Sequence, residues 1–169
     1  MPFPDIRLAT TADLPTLPAI ERAAAGLFPA DDLPPALRGR VTPLEDLQRA
    51  QRESRLWVAI ASDGSVAGFA LASTSGQRAY LDEMDVHPAH ARRGLGRALV
   101  SAVADWARAQ GLQSLALTTF RHLPWNAPFY ERLGFRPLEE AGLCPELAAA
   151  LAREAALGLR QRIAMRLPL

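Results

Sequence analysis

The stretch MDVHPAHARRGLGRAL, residues 84 to 99, decides the fold. A strand-like segment runs into a glycine-containing turn, and the turn opens a helix whose apolar stripe begins at Leu95. Gly94 and Gly96 let the backbone approach an anion closely, and a helix N-terminus carries partial positive charge. Three arginines add charge: Arg92, Arg93 and Arg97. The stretch predicts either a pyrophosphate cradle or an ordinary helix start with solvated arginines.

Two other kinds of nucleotide site are excluded by residue type and spacing. A P-loop requires a lysine, whereas all 19 basic residues of this chain are arginine. A dinucleotide fingerprint requires a third Gly or Ala and an acid at the end of the next strand. That strand ends in Thr118, Thr119 and Phe120, so the acid is missing.

A second segment, PWNAPFYERLGF at residues 124 to 135, is typical of a short amphipathic helix stopped by Gly134. On its own it indicates nothing more. Together and in this order, the two segments resemble the GNAT superfamily of acyl-CoA-dependent N-acetyltransferases. The resemblance extends to the order of predicted strands and helices from Ile6 to Arg166, which is nearly the whole chain.

The resemblance implies an α/β (α+β) fold with a mixed, mostly antiparallel central sheet flanked by helices. The strand ending at Val86 and the strand over residues 115–119 are expected to run parallel and to splay apart. The pantetheine arm of acetyl-CoA is expected in that split, paired with the backbone of Met84 and Val86. The pyrophosphate is expected on the backbone of Arg92, Arg93, Gly94, Leu95, Gly96 and Arg97.

Within the second segment, Tyr130 matches the tyrosine that the family places near the CoA sulfur, which implies a general acid for the thiolate. Many members carry an asparagine seven residues before that tyrosine, and here the position is Leu123. Asn126, four residues before it, is expected to contact CoA from a different place. Ala91 stands where the family often has Gln or Arg, a departure that affects side-chain contacts more than the backbone cradle.

A carboxylate is needed as the base, because an alkyl amine with a pKa of ~10 arrives protonated at neutral pH. In the family, the position four before Val86 often faces the acceptor, which makes Asp82 the first candidate and Glu83 the second. Thr118 stands where some relatives carry an acid, which further favours Asp82. An exposed strand acid paired with an arginine explains either residue as well. Strict alternation predicts Tyr80, Asp82, Met84 and Val86 on one face and Leu81, Glu83 and Asp85 on the other.

Other polar residues give weaker signals. The three histidines lack a zinc spacing and cysteine occurs once, so no metal site is predicted. His122 follows a strand end and is either an acceptor-side residue or a structural one. The proline-rich stretch 26–43 is expected to be an ordered loop bordering the acceptor pocket. Its Asp31 and Asp32 either attract a cationic amine or are solvated loop charges.

Length and composition bound the remaining possibilities. The 169 residues, 49% hydrophobic and 22% charged, predict one globular domain over residues 1–169. A net charge of +1 argues against a nucleic-acid partner, and no apolar run approaches the ~18–20 residues of a membrane span. Residues Met1 to Asp5 lack the features of a signal peptide, so a cytoplasmic location is expected.

Taken together, these features predict an N-acetyltransferase that moves an acetyl group from acetyl-CoA to a primary amine. The acceptor is a small molecule or a peptide, and the amine attacks directly in a ternary complex. Cys144 has no base adjacent in sequence, which argues against a covalent acyl carrier. The alternative is a non-catalytic acyl-CoA-binding or sensing module on the same fold. A homodimer is left open.

Overall fold

The computed structural model describes residues 4–169; Met1 to Phe3, on which part of the N-terminal prediction rests, lie outside them. Seven strands form one sheet: β1 (Asp5–Leu8), β2 (Leu56–Ile60), β3 (Val66–Ser75), β4 (Arg78–Val86), β5 (Ser114–Phe120), β6 (Arg136–Pro137) and β7 (Arg162–Pro168). Their order across the sheet is β1-β2-β3-β4-β5-β7-β6.

In the described part of the chain, six α-helices surround the sheet: α1 (Leu17–Ala25), α2 (Pro35–Arg38), α3 (Leu44–Arg52), α4 (Leu95–Ala109), α5 (Ala127–Glu131) and α6 (Pro145–Ala156). Over residues 4–169, no helix is both long enough and apolar enough to span a bilayer. The order of strands and helices follows the sequence prediction, apart from α2, which lies inside the proline-rich stretch.

The two central strands separate partway along their length. All neighbouring strands pair antiparallel except β4 and β5, which pair parallel only at Arg78↔Ser114, Ala79↔Leu115 and Tyr80↔Ala116. Beyond Tyr80 the two strands have no shared register, so a cleft opens between them. The predicted mixed sheet with a splayed parallel pair is confirmed.

Helices cover the two faces of this sheet with separate apolar cores. On one face α4 buries Leu99 and Val103 completely, and its Trp106 packs edge-on against Trp57 at 5.5 Å between ring centroids. On the other face, residues such as Leu17 of α1 and Leu47 of α3 pack with strand side chains. Burial of this apolar surface fixes both α1 and α4 beside the cleft.

Strand β4 contains a bulge that reverses its side-chain pattern. Leu71 of β3 lies opposite Glu83, but the next residue, Ala72, lies opposite Leu81, so Asp82 is the extra residue. Leu81, Met84 and Val86 pack on the α4 side of the sheet. Tyr80 and the acids at positions 82, 83 and 85 therefore belong to the other side. The predicted strict alternation of residues 80–86 is wrong, because one bulged residue shifts the period by one.

Candidate active site

The turn before α4 forms a concave array of backbone donors. Arg92 and Gly94 both have positive φ values, +61° and +79°, a conformation that directs successive N–H groups to one side. Within residues 4–169, nothing accepts a hydrogen bond from the N–H groups of Leu95, Gly96 or Arg97. A Cβ added at Gly94 would meet no atom within 4 Å. The turn is therefore open to an anion, as the sequence predicts.

Gly96 brings the first turn of α4 close to the wall of the cleft. A Cβ at this position would lie 3.4 Å from Cζ of Phe129 and 3.7 Å from Cε of Met84. The absence of a side chain thus lets the donor array sit directly above the gap between β4 and β5. An extended arm attached to an anion in the cradle would enter that gap.

One pocket of about 1010 Å³ joins the cradle to the cleft. Its lining includes Gly94 at one end, Met84 and Tyr130 in the middle, and Glu83 with Phe28 at the other end. Past Tyr80, no strand within residues 4–169 pairs with the β5-facing edge of β4, so its backbone groups are available to an extended ligand. The predicted binding of the pantetheine arm by Met84 and Val86 remains a prediction with this edge as its support.

Three carboxylates converge beside the cleft. Glu21 of α1 and both Glu83 and Asp85 of β4 each offer an oxygen, and these oxygens lie within 4.8 Å of one another. Burial raises the pKa of Glu83 to about 7, and the negative charge of Glu21 adds to this effect. Burial also raises the pKa of Asp85 well above its ordinary value, again with a contribution from its acidic neighbours. This end of the pocket thus holds one acid, Glu83, that can exchange a proton near neutral pH.

Asp82, the bulged residue, occupies a different environment. Its side chain is exposed at the pocket lining, and Oδ1 accepts a hydrogen bond of 2.9 Å from the hydroxyl of Ser73. It is not among the three clustered acids. Asp82 therefore lies on the pocket wall, as expected, but the geometry gives Glu83 the more strongly perturbed carboxyl.

Tyr130 is placed by a layer of aromatic rings. Its ring lies between Phe129 and Phe135, with centroid distances of 5.1 and 5.5 Å. Its backbone N–H donates to the carbonyl of Asn126 at 3.1 Å, which fixes the first turn of α5. Burial raises the pKa of the phenol well above its ordinary value, and the nearby charge of Glu83 raises it further. Tyr130 thus faces the pocket as a protonated phenol.

Asn126 connects β5 to α5. Its Oδ1 accepts the backbone N–H of Phe120 at 3.3 Å, and its side chain is buried at the pocket lining. This hydrogen bond satisfies the amide oxygen of Asn126, a buried polar atom that needs a donor. A CoA contact by Asn126 remains a prediction, and it would have to use the amide NH₂ group.

Helix α6 supplies an acid, Glu154, that was not predicted from the sequence. Glu154 accepts a hydrogen bond of 2.6 Å from the hydroxyl of Thr118 and pairs with Arg162 of β7 at 3.0 Å. The guanidinium of Arg162 also stacks over Phe120, 4.5 Å from the ring centroid. Thr118 stands where an acid was sought in the sequence. The carboxylate beside it comes instead from a distant helix, α6. No local pattern signals this contact.

Glu21 was missed as well, although a signal exists. It lies four residues after Leu17 and three before Ala24, both buried on the inner face of α1. An acid on the apolar stripe of an amphipathic helix is unusual and indicates a buried polar contact. Asp85 shares a face with Glu83, as the alternation predicts, but its proximity to Glu21 depends on the tertiary packing of α1.

The proline-rich loop is folded onto this end of the pocket. Asp32, only 9% exposed, pairs with Nε2 of His122 at 3.0 Å, so the two residues bind each other. Arg38 donates to the carbonyl of Phe28 at 2.7 Å, and Phe28 lines the pocket. The expected ordered loop at the pocket is present, while the alternative of a solvated Asp32 is wrong because His122 covers it.

Comparison with known proteins identifies the family. Residues 22–135 match the family model described as the Acetyltransferase (GNAT) family. The chain belongs to this family, and the resemblance inferred from its two motifs is confirmed.

Characterised relatives match over parts of the chain. Streptothricin acetyltransferase of Streptomyces lavendulae is 40% identical over 88 residues, which are 49% of this chain and 45% of the relative. This chain therefore matches less than half the length of that protein. Aminoglycoside N(6')-acetyltransferase type 1 of Stenotrophomonas maltophilia is 34% identical over 125 residues, covering 67% of this chain and 73% of the relative.

Solved structures show the same fold over the whole chain. N-acetylglutamate synthase from Neisseria gonorrhoeae, complexed with coenzyme A and N-acetyl-glutamate, superposes with a TM-score of 0.74 and 19% identity. The match covers 100% of this chain and 36% of the synthase. A Mycobacterium tuberculosis protein in complex with CoA gives a TM-score of 0.71 at 23% identity, covering 98% and 99% of the two chains.

Proposed function

We propose that this chain transfers an acetyl group from acetyl-CoA to a primary amine. The observation that supports this most directly is the single pocket that joins a backbone anion cradle to a buried carboxylate, Glu83. In this proposal the N–H groups of residues 94–97 hold the pyrophosphate, and Arg92, Arg93 and Arg97 add positive charge around it. Acetyl-CoA supplies the acetyl group as an activated thioester.

Glu83 is the base in this proposal, and Asp82 is the second candidate. A base works best when its pKa lies near the working pH, and burial together with Glu21 raises the pKa of Glu83 to about 7. Burial raises the pKa of Asp82 as well, but the hydrogen bond from Ser73 and the charge of Arg55 oppose this shift, and Asp82 is not one of the three clustered acids. The order of the two candidates is the reverse of the sequence-based one.

Tyr130 is the proton donor at the other side of the reaction. A thiol has an ordinary pKa of ~8.5, so the departing thiolate needs only modest help at neutral pH. The buried phenol of Tyr130 remains protonated there because burial raises its pKa. It can hydrogen-bond the thiolate and return a proton to it.

The acceptor in this proposal is a small amine that carries positive charge. Acids from α1, β4 and α6 surround that end of the pocket: Glu21, Asp82, Glu83, Asp85 and Glu154. Arg162 lies among them, but its guanidinium is paired with Glu154. Two relatives are by name acetyltransferases of streptothricin and of aminoglycosides. The folded loop over this end favours a compact acceptor, and a peptide N-terminus is the second candidate.

The decisive test measures free CoA released from acetyl-CoA with a panel of acceptors. The panel contains a monoamine, a diamine, an aminoglycoside, streptothricin and a short peptide with a free N-terminus. We expect the fastest release with acceptors that carry a second positive charge. Tight acetyl-CoA binding without release on any amine would instead favour the non-catalytic binding module.

A further inference from the structure

Glu21 is held in place from outside the pocket. Both of its carboxylate oxygens accept the backbone N–H of Thr42, at 3.0 and 2.8 Å, and Oε1 also accepts the Thr42 hydroxyl at 3.2 Å. Burial raises the pKa of Glu21, and these donors oppose that shift by stabilising its ionised form; they also fix its orientation. Because α1 packs against the sheet, this fixed carboxylate stands beside Glu83 and Asp85.

Asp85 has an oxygen without a donor. Its Oδ2 is buried, and within residues 4–169 no hydrogen-bond partner reaches it. A buried carboxylate oxygen that remains both charged and unpartnered is strongly disfavoured. The other acids of the cluster, Glu21 and Glu83, can only accept hydrogen bonds when ionised. A proton on Asp85 removes this conflict, because a protonated carboxyl can donate to a neighbouring carboxylate.

We propose that Asp85 holds a proton and donates it in a hydrogen bond to Glu83, and that Glu21 is the positioning residue whose fixed negative charge enforces this arrangement. The inference rests on the proposed function, because it takes Glu83 as the base. Glu83 accepts the proton from the acceptor ammonium group, while Asp85 retains its own proton throughout.

The charges around Glu83 support this assignment. Four groups act on it: Glu21 from α1, Asp85 on the same strand, Tyr130 from α5 and Arg162 from β7. Arg162 favours ionisation of Glu83, whereas Glu21 opposes it. Like charges this close cannot all be ionised, so at least one acid of the cluster keeps its proton at neutral pH. Glu21 does not line the pocket and acts only through its neighbours.

The first experiment detects the proton directly in the free, full-length protein. Carboxyl carbons of Asp and Glu are labelled with carbon-13, and NMR follows their titration, with assignments from Glu83→Gln and Asp85→Asn. We expect Asp85 to stay protonated above pH 7 and Glu83 to titrate near neutrality. In Glu21→Gln, the Glu83 titration is expected to move down by ~1 pH unit. An Asp85 carboxyl that ionises at an ordinary acidic pH would overturn the proposal.

The second experiment measures kcat/KM against pH with any accepted amine. Glu21→Gln is expected to shift the acidic limb to lower pH by ~1 unit, and Glu21→Asp, which keeps the charge, should restore it. In Asp85→Asn the amide NH₂ group can still donate a hydrogen bond to Glu83. The acidic limb of the kcat/KM profile should therefore stay within a few tenths of a pH unit of its position in the wild type. Glu139→Gln, exposed and outside the pocket, is the matched control.

The outcomes separate this inference from the function on which it rests. If Glu21→Gln acetylates amines and the acidic limb of its kcat/KM profile does not shift, the role of Glu21 is refuted while the enzyme assignment survives. A shared proton seen by NMR with no acetylation of any amine would support the cluster and reject the enzyme assignment. If added magnesium ions shift the NMR signals of Asp85 or Glu83, the proposal is overturned, because the cluster would then bind a cation and not a shared proton.

Discussion

The anion cradle and the carboxylate cluster occupy opposite ends of one pocket and are built in opposite ways. The cradle consists of consecutive residues, 92 to 97, and its donors are backbone N–H groups. The cluster combines one side chain from α1 with two from β4, and the loop residue Thr42 holds the α1 member, Glu21. A backbone site tolerates most side-chain changes, whereas a side-chain site depends on each of its members.

The two ends also differ in their response to pH. Backbone N–H groups and a helix dipole do not titrate, and the arginines of the cradle stay charged. Glu83 at the acidic end titrates near neutrality, since its pKa is about 7. We therefore expect cofactor affinity to be nearly constant between about pH 6 and 8 and turnover to rise over that range.

Loss of the base should have the largest effect. Glu83→Gln removes the proton acceptor but keeps the size and polarity of the side chain, so kcat should fall ~10²–10⁴-fold with little change in acetyl-CoA affinity. Steady-state kinetics at saturating acetyl-CoA measure this. Asp82→Asn is the paired variant. Because Asp82 is not the base in this proposal, its kcat should fall less than 10-fold. The reverse order of the two variants would return the role to Asp82.

Loss of the phenol should have a smaller effect on turnover. Tyr130→Phe keeps the edge-on packing of the ring against Phe129 and Phe135, so stability should be nearly unchanged, while kcat should fall ~10–10³-fold. Tyr80→Phe is the control, because its buried hydroxyl contacts Cys144 rather than the pocket. Equal turnover in Tyr130→Phe and wild type would leave Tyr130 as a packing residue only.

A change in the cradle should act on binding rather than on the chemical step. Gly94→Val forces a β-branched side chain into a positive φ and toward the anion, so acetyl-CoA affinity should fall ~10–10²-fold. Gly64→Val is a close control: φ is +85°, and a Cβ there also meets nothing within 4 Å, but the turn joins β2 to β3. Calorimetric titration of both variants separates strain from lost binding. Equal affinity in the two would mean that the cradle is not the pyrophosphate site.

The smallest expected effect is on stability and belongs to the acidic end. The pKa of Glu83 is higher in the folded chain than the ordinary 4.5, so the folded state binds more protons and loses stability as pH rises from 4.5 to about 7. Glu21→Gln relieves part of this repulsion and should raise stability by ~1 kcal/mol at about pH 8, or ~2–4 °C in Tm. Thermal melts near pH 5 should show little difference. An equal gain at both pH values would exclude an electrostatic origin.

The fold and the open turn before α4 could be predicted from sequence because both depend on local patterns, and the role of that turn as the pyrophosphate cradle stays a prediction. The glycine turn, the helix stripe beginning at Leu95 and the Tyr130 segment each occupy one short window, and each is found where expected. Apolar periodicity likewise marks nearly all of the strands and helices. Even the departure at Ala91 leaves the backbone array unaffected, since the array does not use side chains.

The acidic end could not be predicted in the same way. Strand alternation failed because the bulge at Asp82 has no local marker, and it changed which side chains share a face with Glu83. Glu154 reaches Thr118 from a helix 36 residues away in sequence, a contact set only by tertiary packing. Perturbed acids result from the convergence of several elements, and a sequence pattern within one element does not contain that information.

The proline-rich loop has a consequence for the thermodynamics of acceptor binding. Pro29, Pro34, Pro35 and Pro43 restrict this segment even in the unfolded chain, and contacts with α1 and His122 complete its ordering. The wall of the acceptor pocket is thus assembled before the acceptor arrives, so binding loses little conformational entropy in the protein. Rigid acceptors that match this wall are then favoured over flexible ones of the same charge, because a flexible acceptor must still give up its own freedom on binding.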